Sequence, residues 1–159
     1  MSSFRKIIYS SLFFIAACGF SPLYTNNGPS HLIGQIRIQE PNSQDEFIFY
    51  SRLVDRFGQA GDQYILNYAI TSAKKDRALN FDGTAHRVEI FSSVSFSLKD
   101  KEKEIELLYD KEEMYLSYSN SGSTAAVLNA ERDTKKQLVI LLADKVADRI
   151  SLKIVEENL

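Results

Sequence analysis

Apolar residues along this chain recur with two different spacings, and the changes between them mark its elements. Residues 35–39, QIRIQ, alternate, with Ile36 and Ile38 on one side, and predict a short strand that Pro41 ends. Ser43 and Glu46 then stand at the spacing of a capping box, in which each side chain satisfies a free backbone N–H at a helix start. Tyr50, Leu53, Val54 and Phe57 follow at helical spacing, which predicts one apolar stripe on a core-packed helix, and Gly58 is a natural stop. From residue 64 the period shortens to two. Tyr64, Leu66, Tyr68 and Ile70 alternate against Ile65, Asn67, Ala69 and Thr71. Asp82-Gly83 supplies a turn signal before a second such run. There Val88, Ile90, Val94, Phe96 and Leu98 share one face, while Arg87, Glu89, Ser93, Ser95 and Ser97 share the other, the pattern of a half-buried strand. A charged turn, KDKEKE, leads into a third extended run, IELLYDKEEMYLSYS. Its apolar phase changes between Tyr109 and Met114, which predicts a bulge or a break. Finally, Val139, Leu142, Ala143, Val146 and Ile150 line one face of a long helix, with Leu138 and Leu141 widening it. Drawn from residue 125 to 152, that helix would reach ~40 Å at about 1.5 Å per residue.

These elements predict an α+β fold: a mostly antiparallel or mixed sheet of about four strands with two helices packed on one face. The strands are long for so small a domain. A chain of 159 residues has room for a single core, and it shows no internal repeat and no linker within 35–159. The formal net charge is −2, and removing residues 1–17, which carry Arg5, Lys6 and no acid, would take it to −4. Nucleic-acid binders usually show a basic excess or stripe, so this balance argues against nucleic acid as a partner. One cysteine excludes an internal disulfide framework and a multi-cysteine metal site, and His31 and His86 are too few for a histidine-rich metal cluster.

Residues 1–17 have the organisation of a secretory signal. Arg5 and Lys6 form a positive start, and IIYSSLFFIAA is an apolar run of about 11 residues, too short for a bilayer core that needs ~20. Ala16 and Ala17 sit directly before Cys18, so that IAAC resembles the lipobox of bacterial lipoproteins. In such proteins the thiol takes a diacylglyceryl thioether, the peptidase cuts before the cysteine, and the new amino group is acylated. Small side chains before the cut leave the backbone accessible, and no other side chain offers the sulfur nucleophile. Cys18 is thus the lipidation site expected here, with covalent N-acyl and S-diacylglycerol lipid as the only attached group and no other cofactor. Gly19, in place of the aspartate that retains such proteins in the inner membrane, favours the outer one. The alternatives are an ordinary signal cut near Ala17 and a buried N-terminal helix. Residues 18–34, rich in turn formers at Pro22, Asn26, Asn27, Gly28 and Pro29, read as a lipidated tether leading to the domain at 35–159.

Motifs of catalysis are not found: there is no Gly-rich phosphate loop, no Gly-x-Ser-x-Gly elbow and no His-Glu-x-x-His. With Cys18 committed to lipid, no cysteine–histidine nucleophile is left, and His86 reads as a structural histidine. Glu112–Glu113 reads as solvated charge rather than an acid–base pair. A non-enzymatic role is therefore expected. Lys74, Lys75 and Arg77 are candidate contacts to an anionic lipid, because cations at a hairpin tip could meet phosphates. The competing reading, a solubilising sheet edge diluted by Asp76, is the stronger of the two.

CGFSPLY, at residues 18–24, resembles the lipidated start of the lipopolysaccharide-assembly lipoprotein family LptE, whose mature chains begin Cys-Gly-Phe-x-Pro-Leu-Tyr. Cys18, Gly19, Phe20, Pro22, Leu23 and Tyr24 all match. The closing segment, YLSYSNSGSTAAVLNAERDTKKQLVILLADKVADRI, is similar to the family's last strand, its Ser-Tyr-rich turn and its long final helix, through Ala130-Glu131-Arg132-Asp133 and Leu142-Ala143-Asp144. The resemblance implies a two-helix α+β layout and a lipid-anchored protein of the outer membrane, facing the periplasm. It implies pairing with the β-barrel LptD as plug and scaffold, and help in lipopolysaccharide transport to the outer leaflet, with lipopolysaccharide as a candidate ligand. An auxiliary lipoprotein of an ABC-type lipid transporter is the alternative, and such a protein is not expected to carry CGFSPLY.

Overall fold

The computed structural model describes residues 32–59, 61–79 and 85–157, and for 77–79, 85, 86 and 157 the backbone alone. The elements run β1 (Ile36–Ile38), α1 (Gln44–Phe57), β2 (Tyr64–Leu79), β3 (Ala85–Asp100), β4 (Ile105–Ser119) and α2 (Thr124–Glu157). They form a four-stranded sheet in the order β1-β2-β3-β4, parallel between β1 and β2 and antiparallel elsewhere. Both helices cover one face, as the alternation implied. Tyr64, Leu66 and Tyr68 of β2 and Val94, Phe96 and Leu98 of β3 are buried against Phe49, Leu53 and Phe57 of α1 and Val139, Leu142, Val146 and Ile150 of α2. The Asp82-Gly83 turn signal lies outside the described residues, as do Cys18, His31, the signal segment and most of the tether.

Helix α1 starts where the capping pair stands, with one change of partner. Ser43 Oγ accepts the Glu46 N–H at 3.2 Å, while Glu46 Oε2 accepts the N–H of Asn42, at 2.7 Å, instead of that of Ser43. The helix ends at Gly58, whose N–H donates to the Val54 carbonyl at 2.8 Å. Gly58 has φ of 79°, a left-handed value that a side chain would strain. The buried line of α1 is Phe49, Leu53 and Phe57, and Tyr50 and Val54 flank it half-buried. Phe49 is decided by its sheet neighbour: its ring packs on Tyr68 with centroids 4.8 Å apart. Burial among these rings pushes the Tyr68 phenol up to about 12, with Glu46 and Tyr50 adding to the effect.

Two expectations are corrected. Leu138 widens the buried stripe of α2 as expected, but Leu141, 36% exposed, does not, and Ala147 and Ile154 extend the stripe instead. Strand β4 does not break between Tyr109 and Met114. It stays paired to β3 throughout, and its one register shift steps from Leu98↔Leu108 to Lys99↔Glu106, which makes Leu107 the extra residue. Asp110 and Glu112 therefore keep the inward phase, opposite Phe96 and Val94, although they are acids. Helix α2 explains this, because its flank carries cations over the edge strand. Glu112 receives Lys145 Nζ at 3.2 Å and Arg149 Nε at 3.1 Å, and Arg149 Nε also lies 3.3 Å from Asp110.

Ser92 interrupts the apolar series of β3 and is fully buried; its hydroxyl meets that of Ser72 at 2.7 Å, satisfying both. Beyond it, Val88, Ile90, Tyr118 and Leu138 form a second, smaller cluster. At the opposite end, Asp100 holds the 101–104 turn by accepting the N–H groups of Glu102 and Lys103 at 2.9 and 3.0 Å. Those backbone donors keep its carboxyl below the usual range, against the opposing effect of burial.

Candidate interaction surface

The alternation of β2 sends Lys74 and Lys75 to opposite faces. Lys74 lies on the helix side, where its Nζ meets Glu131 Oε1 of α2 at 2.5 Å. Lys75 lies on the open face, in register with Glu89 of β3. Arg77 is the residue between Asp76↔Val88 and Ala78↔Arg87, the point where the β2–β3 ladder shifts. The three candidate cations are thus not brought together on one surface.

Glu131 is the centre of what the fold does assemble here. Its second oxygen accepts the Tyr118 hydroxyl at 3.1 Å, so the carboxylate is held by β2 and β4 at once. The hydrogen bond from Lys74 lowers the Glu131 pKa, helped by Tyr118 and offset in part by burial. The same bond raises Lys74, and burial raises Tyr118. Next to this group a cleft of about 250 Å³ opens between β2 and α2, lined by Ser72, Ala73, Lys74, Ile90, Glu131 and Lys135. Lys135 meets Asp45 of α1 at 2.6 Å. Each lysine at the cleft is therefore already matched by a carboxylate, and an anion would have to compete with Glu131 or Asp45. Tyr118 stands on β4, whereas Glu131 and Lys135 lie one turn apart on α2, so no local spacing in the sequence joins the tyrosine to the other two. The inward phase that Tyr118 shares with Leu116 and Met114 is the one signal that points there.

Glu112 and Glu113 also part. Glu112 turns under α2, and Glu113 turns to the open face, where it meets Lys111 Nζ at 2.5 Å. Two carboxylates on opposite faces of a strand cannot share one reacting atom. Among the described residues no group of acids, cysteines or histidines is placed to hold a metal ion.

The open face of the sheet carries Asn67, Ala69 and Thr71 on β2 and Ser93, Ser95 and Ser97 on β3, with Tyr109 and Tyr115 on β4 at 72% and 65% exposure. Small hydroxyl side chains make this surface shallow and polar. The chain enters the domain at the end opposite the β2–β3 hairpin. There Gly34 N–H donates to the Phe57 carbonyl at 2.6 Å, and Lys101 N–H to that of Gln63 at 2.9 Å. Lys74 stands ten strand positions above Tyr64, about 33 Å away at ~3.3 Å per residue. No helix among the described residues is long and apolar enough to cross a membrane.

This sandwich is shared with solved proteins. A candidate lipoprotein of Caulobacter crescentus superposes with a TM-score of 0.64 at 16% identity, covering 81% of this chain and 96% of its own. Rare lipoprotein B of Shewanella oneidensis gives 0.59 at 17% identity, over 79% of this chain and 98% of its own. Lipoprotein B of Nitrosomonas europaea gives 0.60 at 12% identity, over 75% and 83%. The likeness is one of fold. No family model matches the chain, and no curated protein matches it in sequence.

Proposed function

We propose that this chain is a lipoprotein anchored through Cys18 in the outer membrane, where it pairs with an LptD-type β-barrel as plug and scaffold and assists lipopolysaccharide assembly at the outer leaflet. The observation that carries the reading is the meeting of two independent likenesses. The CGFSPLY start resembles the LptE family, and the folded domain has the architecture of rare lipoprotein B. The role needs no chemistry of its own, only an anchor and a surface.

The physical arrangement suits that role. Two or three acyl chains on Cys18 anchor stably, since each buried methylene adds ~0.8 kcal/mol. Confinement to the membrane raises the effective concentration for docking. A barrel lumen is polar and water-lined, and the open sheet face, with its serines and Thr71, offers hydrogen-bonding groups without a strong field. The test is a mild-detergent pull-down of the tagged, membrane-extracted chain with every co-eluting band identified by mass spectrometry. A stoichiometric large β-barrel is expected. Recovery with ABC-transporter subunits, or with no barrel, would overturn the proposal.

A further inference from the structure

Strand β2 is 16 residues long, yet β1 pairs with it only at Tyr64, Ile65 and Leu66. Gln39 then closes the lane: its N–H donates to the Leu66 carbonyl at 2.9 Å, and its Oε1 accepts the Tyr68 N–H at 3.4 Å. Those two bonds show that the even-numbered residues of β2 turn their N–H and C=O groups away from β3. Backbone groups alternate in direction along an antiparallel strand, so Ile70, Ser72 and Lys74 aim theirs into the same lane. Among the described residues no strand lies there. The ladder to β3 is regular up to Asp76, so this edge is straight until the shift at Arg77.

The far edge of the sheet is protected, and this one is not. Along β4, Asp110 and Glu112 point inward under Lys145 and Arg149, while Lys111 and Glu113 stand outward, the charges by which edge strands resist added chains. On β2 the outward side chains are Ala69, Thr71 and Ala73 and the inward ones Ile70 and Ser72, with no charge before Lys74.

We propose that the β2 edge between Ala69 and Lys75 receives an extended segment of a partner polypeptide, which adds as a strand in the lane beyond the end of β1. A row of paired donors and acceptors about 6.8 Å apart is matched by another extended backbone and by little else. A second copy centred on Ser72 does not fit: two-fold antiparallel pairing there, with the helices kept on one side, sets the copy's Leu79 opposite Ile65, where Arg37 already pairs. Centred on Lys74 instead, it sets two lysines directly opposite each other, which is destabilising. The incoming segment carries a small or apolar residue where it faces the cleft floored by Ile90. On the outer side, the small Ala69, Thr71 and Ala73 leave room for β-branched or aromatic partners. The proposal holds whichever protein supplies the strand.

Amide hydrogen exchange, read residue by residue, tests it on the full lipidated chain, first in native membrane vesicles and then purified in mild detergent. The amides of Ile70, Ser72 and Lys74 are expected to exchange about tenfold or more slowly in the membranes than in the purified chain. Those of Ala69, Thr71 and Ala73, bonded to β3 in both, are expected to stay the same. Equal rates at the even positions overturn the proposal. So does protection that appears in the purified chain as its concentration rises, because the occupant is then a second copy. Ser72→Pro removes the central edge-facing N–H and leaves the β3 ladder whole. It is expected to abolish the membrane protection at Ile70 and Lys74, and Ser72→Ala is expected to keep it. Protection that persists in Ser72→Pro overturns the proposal, and if that variant does not fold, the wild-type comparison decides alone.

Discussion

Replacing Phe49 by alanine tests how α1 is seated on the sheet. The side chain is fully buried in the core that it shares with Leu53 and Phe57, and its ring packs on that of Tyr68 at 4.8 Å. Its truncation removes the transfer energy of a whole aromatic side chain and leaves a cavity in a layer closed by α2, which costs about 3–5 kcal/mol. At roughly 3–5 °C per kcal/mol for a domain of this size, Tm should fall by roughly 10–20 °C. Phe47, two residues earlier and 60% exposed, is the internal control, and Phe47→Ala should stay within about 0.5 kcal/mol of the parent. Tyr50, half-buried at the flank, should fall between them. Guanidinium unfolding of the purified chain, followed by far-ultraviolet circular dichroism, measures all three. If Tyr50→Ala cost as much as Phe49→Ala, or Phe49→Ala less than about 1 kcal/mol, the helix would be docked on a different face and the reasoning would fail.

Cys18→Ser should abolish acylation, seen as loss of labelled palmitate, and leave the circular dichroism of the domain unchanged; an unfolded variant would refute the tether reading. Glu112→Ala should cost about 1–2 kcal/mol, between the ranges for exposed and buried ion pairs, because it strands Lys145 and leaves Arg149 to Asp110 alone, whereas Glu113→Ala should stay within about 0.5 kcal/mol. Equal losses in urea unfolding would contradict the inward phase of β4. The pKa of Glu131 is lowered from its usual 4.5, chiefly by Lys74, so its contribution is complete above pH 4.5 and is lost as the pH falls through the depressed value. Glu131→Gln should therefore flatten the acid limb of the Tm-against-pH curve below pH 4.5, and an unchanged limb would show that the ion pair adds nothing.

Local features were legible before any fold was known. Ser43 with Glu46, the glycine at 58 and the alternations beginning at Tyr64 and Val88 each act within a few residues, through backbone hydrogen bonds or a fixed side-chain period. They were enough to place both helices on one side of a sheet of long strands. The candidate surface was less legible. Lys74 and Lys75 are neighbours in sequence, but strand alternation separates them, and Glu131, which claims Lys74, comes 57 residues later on another element.

By itself, then, the sequence determined the elements, their order and the apolar side of each strand, because those depend on contacts between near neighbours. Only the tertiary structure decided which polar residue could stand among apolar ones. Asp110 and Glu112 look like a fault in the pattern until Lys145 and Arg149 are laid over them. It also decided where the sheet stops. Whether an edge is paired depends on how far β1 runs beside β2, and that length is set by Pro41 and the start of α1, far along the chain from the Ala69–Lys75 edge, which no strand among the described residues covers. Side-chain periodicity carries no record of a strand's neighbours, since backbone pairing is the same for every residue but proline.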